Sequence, residues 1–259
     1  MKLEVLIATM HQNDFSKLKD MNIQCDAVVV NQCDRNGKVE IFFCGHRILW
    51  IDSTERGLSK SRNMAIENAT ADICLLADDD IVYCDGYPHL VEDAFTKTPH
   101  ADFIAFNTNM LNTDQSRIPI AQVRQAPKNK YYGSVRLAFR RKSVLANNLR
   151  FNEAFGAGAR YHSGEESLLL RQARQVGLVV YENPGYLADV YYDTSTWFRG
   201  FTEEYYFDKG AFLAAAYGNS AYFYAMYFLL QSRKISKLPL KTVCASMIKG
   251  MKAYRNEKQ

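Results

Sequence analysis

The sequence predicts an α/β protein with a mostly parallel central sheet and helices on both faces. Short runs rich in Val, Ile, Leu and Phe recur through residues 1–110, and helix-like segments separate them. Since neighbouring parallel strands need a long crossover connection, usually a helix, this alternation is typical of βαβ units. A chain of 259 residues can form one such domain with a short appendage.

Each predicted strand is a short apolar run. Five of them come early in the chain: Leu3–Ala8, Ala27–Val30, Ile48–Ile51, Ile73–Leu76 and Phe103–Phe106. The intervening segments with a helical pattern are Asp14–Met21, Ser59–Asn68 and Tyr87–Lys97. Further along, we expect a strand at Ser134–Phe139, a helix within RRKSVLANNLRF, and an amphipathic helix that begins near Ser163.

Polar side chains stand at the carboxyl ends of three of these strands. They are Thr9 after the first strand, Asn31 and Gln32 after the second, and Asp78, Asp79 and Asp80 after the fourth. Ligands of parallel α/β sheets bind outside the carboxyl ends of the strands. We therefore expect one crevice to gather all three groups.

The stretch LLADDDIVY places three carboxylates side by side directly after an apolar strand. Such carboxylates repel one another and raise one another's pKa unless a cation lies among them. Their clustered oxygens suit hard divalent cations such as Mg²⁺ or Mn²⁺, which also hold phosphates. Asp78, Asp79 and Asp80 therefore predict a metal site, and a solvated acidic turn is the alternative. The chain has no GxxxxGK[ST] motif, and FGAGAR lacks the third glycine of a dinucleotide fingerprint.

The N-terminal ends of two predicted helices contain further candidate binding and catalytic residues. In ERGLSKSRN, Ser59 is the predicted N-cap and Arg62 follows in the first turn, where the helix end and the guanidinium both favour an anion. A surface arginine is the alternative. In SGEESLLL, Ser163 and Glu166 fit the S-x-x-E capping box, which is the interpretation that the sequence favours. Glu165 and Glu166 after a glycine-rich loop also suit a general base, which the helix N-terminus would keep ionised.

In their order and spacing, these motifs resemble the family 2 glycosyltransferases of the GT-A fold. GLSKSRN, LLADDDIVY and FNEAFGAGARYHSGEE carry the likeness, which spans residues 3–210. The bacterial enzymes of capsule, exopolysaccharide and O-antigen assembly are the most similar. The resemblance implies inverting, metal-dependent transfer of a sugar from a nucleotide diphosphate donor, here a UDP-sugar, to an acceptor hydroxyl. The acceptor would be a glycan or glycolipid, such as a growing lipid-linked polysaccharide.

The resemblance also assigns roles to individual residues. The aspartate motif would hold Mg²⁺ or Mn²⁺ on the donor diphosphate. Read as D-x-D, the motif selects Asp78 and Asp80; aligned to D-x-D-D, it selects Asp79 and Asp80. Arg62 would help to hold the nucleotide, and Thr9 would lie beside the base.

The Glu-Asp pair of the family matches the two glutamates of SGEE, so Glu166 would be the general base. Two positions depart from the family pattern. Asn31 and Gln32 replace the usual acidic contact to the nucleobase, although amides can also pair with a base edge. In VYYDTSTWFRGF, Tyr192 and Asp193 stand where many relatives supply a His ligand for the metal or phosphate.

Residues 1–210 form the predicted glycosyltransferase domain, and residues 211–259 form a helical, aromatic and basic appendage. The net charge of +4 belongs to that end of the chain, because residues 231–259 hold eight Lys or Arg against one Glu. An aromatic stretch with basic flanks is typical of a helix lying on an anionic membrane surface, and a packed helical core is the alternative. A Gly-Asn-Ser break interrupts the long apolar stretch, so we do not expect a membrane span.

Composition points to a cytoplasmic protein, peripheral at most on the inner face of the cytoplasmic membrane. Six cysteines without a CxxC pair fit a reducing compartment, and the N-terminus does not resemble a secretory signal. The net charge is too small to indicate nucleic acid as a partner. Two alternative functions are a sugar-phosphate nucleotidyltransferase, although no glycine-rich phosphate loop follows the first strand, and a non-catalytic module that binds nucleotide sugars.

Overall fold

A computed structural model describes residues 1–112, 118–191, 200–233 and 235–257. The strands in these residues are β1 Leu3–Met10, β2 Asp26–Gln32, β3 Gly37–Phe43, β4 His46–Ser53, β5 Ile73–Asp78, β6 Ile81–Tyr83, β7 Phe103–Leu111, β8 Arg124–Gln125, β9 Leu137–Arg140 and β10 Val180–Tyr191. The helices are α1 Ser16–Asp20, α2 Leu58–Asn68, α3 Tyr87–Lys97, α4 Arg141–Ala146, α5 Glu165–Gln175, α6 Glu203–Tyr217, α7 Ala221–Ser232 and α8 Leu240–Asn256. All predicted strands and helices are present, with ends shifted by a few residues.

One sheet runs through the molecule in the order β3-β4-β2-β1-β5-β9-β7-β10-β6, and β8 pairs with β10. Strands β4, β2, β1 and β5 are parallel neighbours, as the βαβ pattern predicts. In this register Thr9 pairs with Asn31, and Ala8 pairs with Asp78. The polar strand ends therefore lie at one edge of the sheet, and the α/β fold class is confirmed.

The other half of the sheet contains more antiparallel pairs than the alternation of elements suggested. Strand β9 lies between β5 and β7 and is antiparallel to both, and β6 is antiparallel to β10. Strand β3 forms a hairpin with β4 at the sheet edge. Strand β3 was not predicted, because most of its side chains are exposed and its apolar run is limited to residues 41–43.

Helices cover both faces of the sheet. Alternate side chains of β1 point to opposite faces, so Val5 and Leu6 belong to different apolar cores. Phe95 of α3 packs in the core that holds Val5. Ile66 of α2 and Leu170 of α5 pack in the core that holds Leu6. Strand β5 is thereby covered on both sides, which explains its continuous apolar sequence.

The last helices form a third core, centred on a close crossing of α6 and α8. Gly210 and Gly250 make this crossing possible. A Cβ atom on Gly210 would collide with the carbonyl oxygen of Met247, and one on Gly250 would collide with that of Phe207. Residues 210 and 211 lie inside α6, so the predicted boundary between domain and appendage falls within one helix. The division into two units stays a prediction.

Aromatic residues near the C-terminal end have two different environments. Tyr206 of α6 is fully buried, as the core interpretation predicted. Helix α7 instead buries only small residues, and its large side chains lie outward: Phe223 is 82% exposed, Met226 64%, Tyr227 63% and Leu230 59%. Within the described ranges, no helix combines the length and the apolar character that a membrane crossing requires.

Candidate functional site

A cavity of about 730 Å³ opens at the edge of the sheet where β5 ends. Most of its lining comes from the start of α2, the aspartates at the end of β5, the segment around Tyr132 and Ser134, the first turn of α5 with the residues before it, and α6. Arg62, Asp78, Asp80, Glu165 and Glu166 all lie on its wall. The structure thus brings the predicted anion-binding, metal-binding and base residues to one place.

Arg62 is the central contact of this site. Its side chain is only 1% exposed, so the surface interpretation of this residue is wrong. One guanidinium nitrogen donates to Glu165 Oε1 at 2.9 Å, and the other donates to Asp78 Oδ1 at 2.8 Å and to Ser134 Oγ at 2.7 Å. Burial would lower the pKa of Arg62, but the charges of Asp78, Glu165 and Glu166 outweigh it and raise the pKa. Arg62 is therefore a permanently charged bridge between β5 and α5.

The three aspartates have different partners. Asp78 accepts hydrogen bonds from Arg62 and, at 3.2 Å, from Ser134 Oγ. Asp79 lies away from the cavity wall and accepts a 2.5 Å hydrogen bond from Thr9 Oγ1. Within the described residues, Asp80 Oδ1 is buried and has no hydrogen-bond partner. Of the three, Asp78 and Asp80 line the cavity.

The surroundings of Asp80 shift the pKa of its carboxyl group. Burial raises its pKa to about 6, and the charges of Asp78 and Asp79 act in the same direction. The parts of the chain that the structure describes contain no group of three His, Cys, Asp or Glu side chains already arranged around a common metal position. The metal role of Asp78, Asp79 and Asp80 stays a prediction.

Glu165 and Glu166 are the first two residues of α5, and their side chains have different hydrogen-bond partners. Glu165 is buried and bonded to Arg62. Glu166 accepts a long hydrogen bond of 3.4 Å from the backbone N–H of Ser134. Burial raises the pKa of Glu166 to about 8. The negative charge of Glu165 raises it further, and this effect is larger than the opposite effect of Arg62. Burial and this like charge act against the helix N-terminus, which favours the ionised form, so the ionisation of Glu166 stays a prediction.

Both predicted N-caps are also wrong. Helix α5 is capped by Gly164, whose φ of 107° lies in the left-handed region, and no side chain caps it. The S-x-x-E capping box of Ser163 therefore does not form. Helix α2 is capped by Gly57, and Ser59 donates instead to the backbone oxygen of Phe155 at 2.6 Å. In both cases tertiary contacts replace the local cap that the sequence pattern favours.

The predicted nucleobase residues are engaged within the protein. Asn31 accepts from the backbone N–H of Gln12 at 3.0 Å and donates to Gln12 O at 2.9 Å and to Asp52 Oδ1 at 2.7 Å. Gln32 accepts from the backbone N–H of Gly57 at 2.8 Å. Both amides thus shape the loops at the strand ends, and their contact with a base stays a prediction, as does that of Thr9.

Several residues of the cavity were not predicted from the sequence. One is Ser134, which contacts Arg62, Asp78 and Glu166. The others lie elsewhere on the cavity wall and are His162, Asp208 and Lys209. His162 stands immediately before the SGEE motif, which could have drawn attention to it. Ser134, Asp208 and Lys209 belong to no recognisable motif. Tyr192 and Asp193 lie outside the described residues.

Comparison with known proteins finds similarity in structure rather than in sequence. No protein-family profile matches the chain, and no curated protein sequence matches it. Among solved structures, residues 1–349 of the Staphylococcus aureus glycosyltransferase TarS in complex with UDP-GlcNAc match with a TM-score of 0.66 and 14% identity, over 98% of this chain and 80% of that one. The UDP complex gives a TM-score of 0.64 over 98% and 83% of the two chains, again at 14% identity. Full TarS gives 0.61 at 14% identity over 92% of this chain and 44% of that one. The chain therefore has the TarS glycosyltransferase fold.

We expect Arg62→Met to lower the free energy of unfolding by about 3–5 kcal/mol, because Asp78 and Glu165 would lose their shared buried counterion. The matched control is Arg150→Met, which removes an exposed ion pair with Glu67 and should cost at most about 1 kcal/mol. Urea unfolding at pH 7 measures both changes. Equal losses in the two variants would show that Arg62 does not have the structural role described above.

Proposed function

We propose that the protein is an inverting, metal-dependent glycosyltransferase of family 2 that transfers a sugar from a UDP-sugar to an acceptor hydroxyl. One observation carries the proposal: the carboxyl pair Asp78 and Asp80, the buried cation Arg62 and the raised-pKa carboxyl Glu166 line a single cavity. A carboxylate pair that can take a cation and a separate basic carboxylate are the two groups that displacement of a nucleotide diphosphate needs.

The fold supports the choice of donor. TarS, which shares this fold, has been crystallised with UDP-GlcNAc and with UDP. On this basis we propose a UDP-sugar as the donor for the present chain. From the motif pattern described above, we further propose that the chain acts like the bacterial enzymes of capsule, exopolysaccharide and O-antigen assembly. Its acceptor would then be a growing lipid-linked polysaccharide. A cytoplasmic location fits a nucleotide-sugar donor.

In the proposed reaction, Glu166 removes the proton of the acceptor hydroxyl while its oxygen attacks the anomeric carbon of the donor. The bond from that carbon to the diphosphate breaks in the same step, so the configuration inverts. Glu165 is the less suitable base in this arrangement, because its Oε1 is paired with Arg62. Ser134 contacts both Asp78 and Glu166, and it thereby fixes the base relative to the aspartates.

The residues present fit a divalent cation. Asp80 Oδ1 is buried without a hydrogen-bond partner in the described parts of the chain, and its raised pKa reflects uncompensated negative charge. Asp80 and Asp78 would hold Mg²⁺ or Mn²⁺, and Asp79 would support them through its bond to Thr9. When bound, the cation would neutralise charge on the departing diphosphate. Arg62, already paired with carboxylates, would hold Asp78 in place.

Glu166→Gln tests the base. We expect it to reduce the release of UDP from UDP-GlcNAc, measured as slow hydrolysis, by about 10²–10⁴-fold, because the residue can no longer take a proton. Affinity for UDP should stay unchanged. In the native protein the rate should rise with pH through about 8, since the raised pKa keeps Glu166 protonated below that value.

The rise with pH should be absent in Glu166→Gln. Unchanged hydrolysis in that variant would remove Glu166 from the mechanism. Firm UDP binding with no hydrolysis in the native protein would favour a non-catalytic binding module instead.

Asp80→Asn tests the metal. Because burial and two neighbouring carboxylates raise the pKa of Asp80, the neutral side chain should leave the melting temperature unchanged or raise it. In the same variant, the factor by which Mn²⁺ increases the affinity for UDP, measured by calorimetry, should be smaller by at least about tenfold. In the native protein this increase should fall as pH drops below about 6, where Asp80 becomes protonated.

The control for this experiment is Asp93→Asn on the exposed surface of α3, which should change neither quantity. UDP affinity that does not depend on Mn²⁺ in the native protein would contradict the metal proposal.

We also propose that α7 contacts an anionic membrane surface. Its outward side chains Phe223, Met226, Tyr227 and Leu230 form an apolar and aromatic surface. Lys or Arg residues are concentrated in the segment that follows α7. Apolar side chains next to basic residues are the pattern of helices that lie in the interface of anionic bilayers.

The double variant Phe223→Ser, Met226→Ser should reduce co-sedimentation with phosphatidylglycerol vesicles, because it removes two of the most exposed apolar side chains of α7. The control is Phe42→Ser, which removes a similarly exposed phenyl ring, 75% exposed, from β3. Native protein should bind these vesicles more strongly than phosphatidylcholine vesicles. Equal sedimentation of the native protein and the double variant would remove the proposal.

A further inference from the structure

Part of the cavity wall is formed by α6 and by the segment 162–164 that leads into α5. We call this part the α6 wall; its polar members are His162, Asp208 and Lys209, and Phe212 lies among them. Gly164 packs directly against Phe212, since a Cβ atom on Gly164 would come within 2.7 Å of the ring. The α6 wall is therefore continuous with the helix start that carries Glu166. None of its residues has a role in the mechanism proposed above.

His162 is held in one orientation. Its Nδ1 lies 2.8 Å from Asp208 Oδ2, and its backbone N–H donates to the same oxygen at 3.0 Å. Because a carboxylate accepts, the neutral imidazole donates from Nδ1 to Asp208 and keeps its lone pair on Nε2. Within the described residues no hydrogen bond to Nε2 is formed, and Oε1 of Glu204 lies 4.0 Å away. Nε2 can therefore accept a hydrogen bond from a ligand hydroxyl.

Lys209 is a cation without a counterion among the described residues. In the described ranges of the chain, it forms neither a salt bridge nor a hydrogen bond. Its ammonium group lies instead 4.9 Å from the ring centre of Phe212 and 4.5 Å from that of Phe228. Burial lowers its pKa, which is the sign of a charge that the protein does not compensate. A half-buried ammonium on a cavity wall is a binding group for an anion.

We infer that the α6 wall is an acceptor subsite that selects acceptors carrying an anionic group, a phosphate or a carboxylate, on a glycan. The inference rests on the proposed function. Lys209 supplies the positive charge, and His162 accepts a hydrogen bond from an acceptor hydroxyl. The wall belongs to the acceptor because it adjoins Glu166, which must face the acceptor hydroxyl, whereas the donor diphosphate belongs to the aspartates at the end of β5.

A purely structural role for Lys209 is the competing explanation, because its two aromatic contacts link α6 to α7. The two explanations differ in what they predict. A structural lysine affects the melting temperature and leaves ligand choice alone. A lysine that recognises an anion affects the choice between charged and neutral acceptors, and it does so less at high salt.

The test uses the full chain and three immobilised oligosaccharides of equal length, which end in glucose, glucuronic acid or glucose 6-phosphate. The native protein should bind one or both anionic glycans more strongly than the neutral one. Lys209→Gln should lose about tenfold or more of that binding, as expected for a charge-assisted contact. Lys209→Arg, which keeps the charge, should retain the preference, and the control Lys142→Gln, on the exposed surface of α4, should change nothing.

The two anionic glycans distinguish phosphate from carboxylate recognition. Equal binding of all three glycans by the native protein would overturn the inference, as would a lower melting temperature of Lys209→Gln with an unchanged preference. A loss of UDP affinity in Lys209→Gln would also overturn it, since Lys209 would then serve the donor. Failure of the native protein to bind UDP at all would instead refute the proposed function.

Discussion

The site depends on one buried cation. Arg62 is almost fully enclosed, and a buried guanidinium is tolerated only where anionic partners compensate its charge. Asp78 and Glu165 supply that compensation from the end of β5 and the start of α5. Three elements that are distant in sequence therefore meet at fixed positions. Asp78 and Glu165 are paired with Arg62, whereas Asp80 and Glu166 form no salt bridge within the described residues.

The excess of negative charge in the cavity contributes to the raised pKa values of Asp80 and Glu166. The pKa of Asp80 is raised to about 6 and that of Glu166 to about 8, in each case first by burial and then by neighbouring carboxylates. A carboxyl whose pKa is raised on folding stabilises the fold below its unfolded value of about 4, and this stabilisation is lost as pH rises through the folded value. At neutral pH the site therefore costs stability. Such a cost is typical of functional sites, where stability is not the only requirement on the residues.

Sequence patterns predicted the sheet edge well but not the contacts within it. The apolar strands and the polar residues that follow them placed Thr9, Asn31 and Asp78 at one edge, because strand register carries that information. The pattern DDD does not say which carboxylate faces the cavity, since backbone direction after β5 decides it. The structure turns Asp79 toward Thr9 and leaves Asp80 exposed to the cavity.

The wrong cap of α2 and the missing position Ser134 have one cause. Each depends on a partner that is remote in sequence, as Ser59 on Phe155 and Ser134 on Arg62. Local propensity cannot register such partners. The direction of β9 was unpredictable for the same reason, because period and composition do not identify the neighbour that an element packs against.

Helix α6 connects the two proposed binding surfaces. Its Lys209 and Phe212 lie on the cavity wall, and Lys209 also contacts Phe228 of α7. The close crossing at Gly210 and Gly250 holds α6 rigidly on α8, because no side chain can be inserted there. Contact of α7 with a bilayer would therefore fix the height of the cavity above the lipid surface. An acceptor anchored in that bilayer would meet the α6 wall before it reached Glu166, so selection by charge would precede the chemical step.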